Sequence, residues 1–198
     1  LLENRSPVYV NPGITEIDTV PHDSVFSFTS ARVINNSVNN PYNYITLDKG
    51  RKHGISPDQG IIAGSGIVGV ITNVSESFSV GLSLLNSRWS VSGKLKKNGY
   101  FGSLTWSGHN YRVAQLNEIP FHVNLAKGDT VVTSGYSAIF PEGIMIGTIK
   151  DFSRPRGKNY YSIDITLSTD FKELSFVEVI DNLYKTEIKE LEGRFGND

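Results

Sequence analysis

Between residues 26 and 183 the apolar and β-branched residues come in short runs, each cut by Gly, Asn, Pro or Ser, and no long helical period survives through the middle of the chain. Such a chain buries its apolar groups only by pairing strands, so it reads as all-β. Five runs precede Lys96: FSFTSARVI, NYITLDKG, GIIAGSGIVGVITNVS, FSVGLSLL and WSVSGKL. Six follow: YFGSLTW, YRVAQLNEI, DTVVTSG, MIGTIKDF, YYSIDITLS and FVEVIDNL. WSGHNY, between two alternating runs, is the clearest hairpin turn. A chain of 198 residues holds one large core or two small ones.

The two sets of runs echo each other. Leu47, Lys49 and Gly50 recur as Leu125, Lys127 and Gly128, and the same offset carries Gly69 and Ile71 onto Gly147 and Ile149. Two small β-barrels of related design produce such a pattern, so residues 45–71 and 123–149 are expected to trace similar paths, each with an LxKG turn at a barrel rim. The divisions expected are an extended lead-in over 1–24, a first barrel over 25–95, a second over 96–183 and a polar tail over 184–198. Pro7, Pro12 and Pro21 keep the lead-in extended. Residues 1–4 read as the last turn of an upstream helix, and the chain as a soluble piece of a longer protein, because it opens on Leu1 without an apolar signal region and no apolar run reaches the ~18 residues of a spanning helix.

Charge and residue chemistry exclude more than they assign. Nineteen Lys and Arg against twenty Asp and Glu leave no basic footprint for nucleic acid. With no cysteine there is no thiolate chemistry and no disulfide. Gly64, Gly66 and Gly69 match G-x-G-x-x-G, but β-branched VGVITNVS follows where a phosphate-binding helix is needed, so strand curvature is the reading. Ser134 and Ser137 lie outside G-x-S-x-G, and the stretch runs on into strand. His22, His53, His109 and His122 sit in a lead-in, two turns and a loop; spacing alone leaves open that one approaches a serine, yet none forms a metal pattern. Asp164 faces water in an alternating strand, and with Asp170 and Glu173 it makes no acid–base pair. No catalytic, cofactor-binding or metal-ligating residue is assigned.

One long motif remains. KGDTVVTSGYSAIFPEGIMIGTI, preceded by NYITLDKGRKHGI and GIVGVITNVS, resembles the family of rod shape-determining MreC proteins. The residues that carry the resemblance are Gly128, Asp129, Val131, Thr133, Ser134, Gly135, Phe140, Pro141, Gly143, Ile146 and Gly147. Physically, Gly128 and Asp129 suit a turn before a strand, Gly135 relieves a sharp bend, Phe140 and Pro141 fix a loop, and the serines cap backbone groups.

The resemblance, over residues 26–183, implies two β-barrels in tandem, chymotrypsin-like in outline but without a working triad. It implies a single-pass inner-membrane protein whose barrels lie on the periplasmic or extracytoplasmic side. The implied role is a non-catalytic scaffold of cell elongation and peptidoglycan synthesis. The implied partners are a second copy as homodimer or filament, the elongation-specific penicillin-binding transpeptidase, MreD and, indirectly, MreB, with no cofactor and no nucleic acid. The alternatives are a degenerate serine hydrolase acting on cell-wall peptides and a peptidoglycan-binding module. In YFGSLTWSGHNYRV, Tyr100, Leu104 and Trp106 share one strand face and Phe101 and Thr105 the other, so an aromatic side chain must lie outside the barrel. Phe101 and Tyr111 are therefore the candidate partner-binding residues.

Overall fold

The computed structural model describes residues 25–193; the expected lead-in over 1–24, with His22, lies outside them. The described strands are β1 (Phe26–Asn36), β2 (Tyr42–Leu47), β3 (Gly60–Ala63), β4 (Gly66–Val74), β5 (Ser79–Asn86), β6 (Ser90–Leu95), β7 (Phe101–Thr105), β8 (Val113–Leu116), β9 (Thr130–Thr133), β10 (Met145–Ser153), β11 (Ser162–Leu167) and β12 (Phe176–Asn182). A helix, α1 (Lys185–Gly193), follows. The strands close two barrels, in the order β1-β12-β3-β4-β5-β2 and β10-β11-β8-β7-β6-β9. The ladders between named strands are antiparallel. This is the all-β, two-barrel architecture that the punctuated runs lead to.

Alternation fills each barrel. In β2, Asn43, Ile45 and Leu47 point inward and are buried, whereas Tyr42 and Tyr44 face out. The inward Asn43 is tolerable because its amide donates to the carbonyls of Leu85 and Asn40, each at 2.6 Å. One connected core cluster runs through both barrels.

The division expected at Lys96 differs from the observed pairing at both ends. Strand β6, placed by sequence order in the first barrel, pairs with β7 and β9 in the second. Strand β12, placed in the second, closes the first between β1 and β3. Alternation in WSVSGKL and FVEVIDNL specifies which face is buried but not which barrel buries it, and pairing over such sequence separations leaves no local trace. GIIAGSGIVGVITNVS is not one strand but the hairpin β3–β4, turning at Gly64 and Ser65. Residues 185–193 of the expected polar tail form α1.

The barrels share one plan. Read from β3, the first runs β3-β4-β5-β2-β1-β12; read from β9, the second runs β9-β10-β11-β8-β7-β6. Each of the first five strands thus has a counterpart in the same chain order, and only the closing strand is taken from the opposite end of the sequence. Gly69 and Gly147 are equivalent, since a Cβ on either would lie 2.1 Å from a carbonyl of the neighbouring strand, Leu82 O or Thr166 O. Ile71 N–H and Ile149 N–H donate to Gln59 O and Asp129 O, and their carbonyls accept from Asp58 N–H and Gly128 N–H.

The LxKG part of the echo is misaligned. The counterpart of Gly128 (φ +88°) is Asp58 (φ +65°), not Gly50, whose φ is an extended −141°. Both turns carry the same side-chain clasp: Gln59 Oε1 accepts from Ser56 N–H at 2.9 Å, and Asp129 Oδ2 accepts from Ala126 N–H at 2.7 Å. The register slips because β3 and β4 are joined by two residues, whereas β9 and β10 are joined by residues 134–144.

Candidate functional site

That long β9–β10 connection holds most of the motif, and its residues fasten one another. Thr133 is buried at the end of β9; its hydroxyl donates to Pro141 O at 2.6 Å and accepts from Ile144 N–H at 2.9 Å. Gly135 turns the chain at φ +81°, where a Cβ would stand 2.9 Å from Glu142 Cβ. Gly143, at φ +92°, donates its N–H to Thr133 O and returns the chain to β10. At the entrance, Asp129 pairs with Lys97 at 2.6 Å. Burial opposes its charge, but the hydrogen bonds from Lys97 and Ala126 N–H outweigh that and hold the carboxyl below the usual carboxylate range.

Between these fixed ends the loop reaches the other barrel. The Phe140 ring is 2% exposed and packs over Gly60 of β3, with the Trp89 ring 6.5 Å away. A Cβ at Gly60 would meet the Phe140 ring at 2.6 Å, so the missing side chain in one barrel is the socket for the motif phenylalanine of the other. Asn182 Nδ2 donates to Ala138 O at 3.2 Å beside it, and on another part of the contact Thr169 Oγ1 donates to Ile67 O at 3.2 Å.

Ser134 has structural partners. Ser134, 4% exposed, donates its hydroxyl to Ser92 Oγ at 2.8 Å and accepts from Tyr136 N–H at 3.2 Å. Of the described histidines, His53 Nδ1 accepts from Gly50 N–H, His122 Nε2 bonds the Tyr100 hydroxyl, and His109 is exposed in the β7–β8 turn. None is bonded to Ser134. The glycines of GSGIVG form the β3–β4 turn and lead into strand. Asp170 pairs with Arg112 at 2.7 Å, and no group of three His, Asp or Glu suited to a metal occurs among the described residues.

The two aromatic candidates part company. In β7, Leu104 fills the barrel, and beyond it Trp106 is buried with Nε1–H donating to Asn110 O at 2.8 Å. Phe101 lies outside, 53% exposed, and meets the Tyr136 ring edge-on at 4.7 Å. Tyr136 is 72% exposed. Sequence reasoning passed over it, although its place at the tip of the Gly135 bend is a signal for exposure. The Lys94–Glu142 ion pair borders the two rings, Lys94 being the register partner of Phe101. Tyr111 sits at the other end of the β7–β8 hairpin and is half-buried. Lys172 Nζ stands 4.5 Å from its ring centre, and its hydroxyl accepts from Arg112 Nε at 2.8 Å. The structure does not bring Tyr111 to Phe101.

Residues 33–181 match the family described as "Rod shape-determining protein MreC, barrel core". The cell shape-determining protein MreC of Listeria monocytogenes is 30% identical over 155 residues, which are 76% of this chain and 52% of that one. The chain thus spans about half the length of that relative. A solved structure of a Listeria MreC superposes with a TM-score of 0.72 at 26% identity, covering 81% of this chain and 79% of that one. A complex between a penicillin-binding protein and MreC from Helicobacter pylori shares the fold, with a TM-score of 0.59 at 16% identity over 78% and 98% of the two chains. Among the described residues no helix is long and apolar enough to cross a membrane.

Proposed function

The chain belongs to the rod shape-determining protein MreC family, and on that premise we propose that it acts by binding and not by catalysis, as an extracytoplasmic scaffold for the cell-elongation machinery. Its partners in this reading are a second copy of itself and the elongation-specific penicillin-binding transpeptidase, with MreD and MreB further along the same assembly. A single-pass anchor in the inner membrane completes the picture. The Helicobacter pylori MreC held by a penicillin-binding protein supports the transpeptidase as partner.

The observation that carries the reading is the exposed Phe101–Tyr136 pair. Two aromatic rings meet edge to face outside a filled barrel, one on strand β7 and one on a loop clamped by Thr133, so the pair is in place before any partner arrives. Preformed aromatic surface costs little ordering on binding, which is why such residues anchor interfaces. The clamped β9–β10 loop serves to hold Tyr136 beside Phe101 and Phe140 in its socket, a role that needs no nucleophile.

The test is the double variant Phe101→Ser/Tyr136→Ser, shown to be folded by circular dichroism. Its affinity for the transpeptidase's extracytoplasmic region is expected to fall about tenfold or more. Unchanged binding together with unchanged sedimentation would remove the pair from both interfaces. A fluorophosphonate probe is expected to leave Ser134 unlabelled; labelling there would favour the hydrolase alternative.

A further inference from the structure

Helix α1 turns its lysines to the first barrel and its apolar side chains away from it. Lys189 Nζ pairs with Asp58 Oδ2 at 2.7 Å and Lys185 Nζ bonds the Asp58 carbonyl. Thr186 and Glu190, next to the lysines around the helix, line the cleft against Ser56 and Asp181. The opposite side carries an apolar stripe of Tyr184 (49% exposed), whose carbonyl accepts from Ile188 N–H, with Ile188 (36%) and Leu191 (50%). At 3.6 residues per turn, Glu187 lies roughly 40° beyond Leu191 and Glu192 roughly 40° beyond Ile188, so a carboxylate flanks each edge of the stripe. Both are exposed, and among the described residues neither is in an ion pair.

The turn between β10 and β11, RPRGKNYY over residues 154–161, carries the complementary chemistry. Arg156 and Lys158 are exposed and, among the described residues, in no ion pair, and no acidic residue lies between Asp151 and Asp164. Tyr160 stands beside them, 48% exposed. The turn is formed without a partner. Gly157 reverses the chain at φ +74°, and Lys158 N–H donates to Pro155 O at 3.4 Å. At its base Arg154 Nη2 donates to the Tyr161 hydroxyl at 2.8 Å, with the guanidinium 5.5 Å from the Phe121 ring centre. Helix and turn stand apart in one molecule. Asn182, three residues before α1, donates to Ala138 O in the connection that enters β10, whereas residues 154–161 leave it. The nine residues of β10 put roughly 30 Å between the two.

We propose that α1 of one copy docks the β10–β11 turn of a second copy, with Tyr160 on the stripe of Tyr184, Ile188 and Leu191 and with Arg156 and Lys158 against Glu187 and Glu192. An apolar stripe edged by carboxylates meets an aromatic residue flanked by cations, so the two patches match in both hydrophobicity and charge. This contact rests on the self-association read above and uses neither Phe101 nor Tyr136. Because helix and turn are different patches, the contact is head-to-tail, and each copy keeps one of each for the next. The patch is smaller than the ~800 Å² per partner of a stable interface, so a single contact is weak, and its charges make it salt-sensitive.

Charge reversal tests the pairing. In the full chain, Arg156→Glu/Lys158→Glu and Glu187→Lys/Glu192→Lys, each shown to be folded by circular dichroism, are each expected to raise the self-association Kd about tenfold or more in sedimentation equilibrium. Mixed in equal amounts the two variants are expected to recover association, because the acidic helix of the first then meets the basic turn of the second. Either variant alone associating as the parent does, or a mixture no better associated than its components, overturns the proposal. A parent that stays monomeric up to about 1 mM overturns it too. Binding to the transpeptidase's extracytoplasmic region separates this contact from the scaffold reading. Both reversed variants are expected to bind that region as the parent does. Loss of that binding with sedimentation unchanged would give the helix or the turn to the transpeptidase, overturning the head-to-tail contact while leaving the scaffold reading in place.

Discussion

Replacing Gly60 by alanine tests how the two barrels are joined. The new Cβ would stand 2.6 and 2.8 Å from two Phe140 ring atoms and 3.0 Å from Ile139 O, so the ring must be expelled or β3 must shift. Overpacking of this kind costs about 1–3 kcal/mol. Phe140→Ala, removing a ring that is 2% exposed, costs about 3–5 kcal/mol from lost burial and the cavity left behind. If the ring is what Gly60 accommodates, the two costs are not additive. With the ring gone only the Ile139 carbonyl remains close, and Gly60→Ala in the Phe140→Ala background should cost under about 1 kcal/mol. Urea unfolding of parent, both single variants and the double variant gives the coupling directly. A Gly60→Ala penalty equal in the two backgrounds would refute the socket, and with it the view that the motif loop is the join between the barrels.

Gly135→Val should lower the melting temperature more than Ser134→Ala. The first puts a β-branched side chain at φ +81° against Glu142, costing about 1–3 kcal/mol, whereas the second removes hydroxyl bonds worth about 1 kcal/mol. Equal melting temperatures would count against the bend. Gly69→Ala and Gly147→Ala, at equivalent places, should destabilise by similar amounts in urea; a large cost at only one would break the equivalence of the barrels. Asp129→Asn should lower the urea midpoint at pH 7. The folded carboxyl is held below its unfolded value of about 3.9, so its contribution is present above that pH and is lost as the pH falls through the folded value. The gap between parent and variant should close toward acid; a gap that widens there would contradict the Lys97 and Ala126 bonds.

What was legible in the residues was whatever local chemistry dictates. The β-branched runs became strands, and the alternation of Phe101 against Leu104 placed an aromatic outside the barrel, where it is found. The β3–β4 hairpin was legible and passed over, since Gly64 and Ser65 between two apolar runs are a two-residue turn signal that the G-x-G-x-x-G spacing masked. Asp58 was hidden as the counterpart of Gly128 because a left-handed turn is usually sought at glycine, though aspartate also tolerates it. The Phe140 socket was out of reach for a different reason. Its two halves, Gly60 and Phe140, meet only across the barrel contact, and nothing local ties a glycine in one strand to a phenylalanine in a distant loop. Tyr111 is half-buried although it stands near a turn, because Lys172 and Arg112 lie over its ring, and neither contact is written in local sequence pattern.

The second barrel is sequence-continuous from β6 to β11, but the first waits for β12, whose partners β1 and β3 were made long before it. As the chain emerges from the ribosome or a translocation channel, the second barrel can complete itself while the first stands open along both of those strand edges. Long-range closure of this kind is slow, and open edges invite pairing with other chains. A chain cut between Leu167 and Phe176 therefore yields one finished barrel and one sticky one, and a chain cut earlier finishes neither, so truncated products should aggregate and be degraded instead of competing with complete molecules for a place in the assembly.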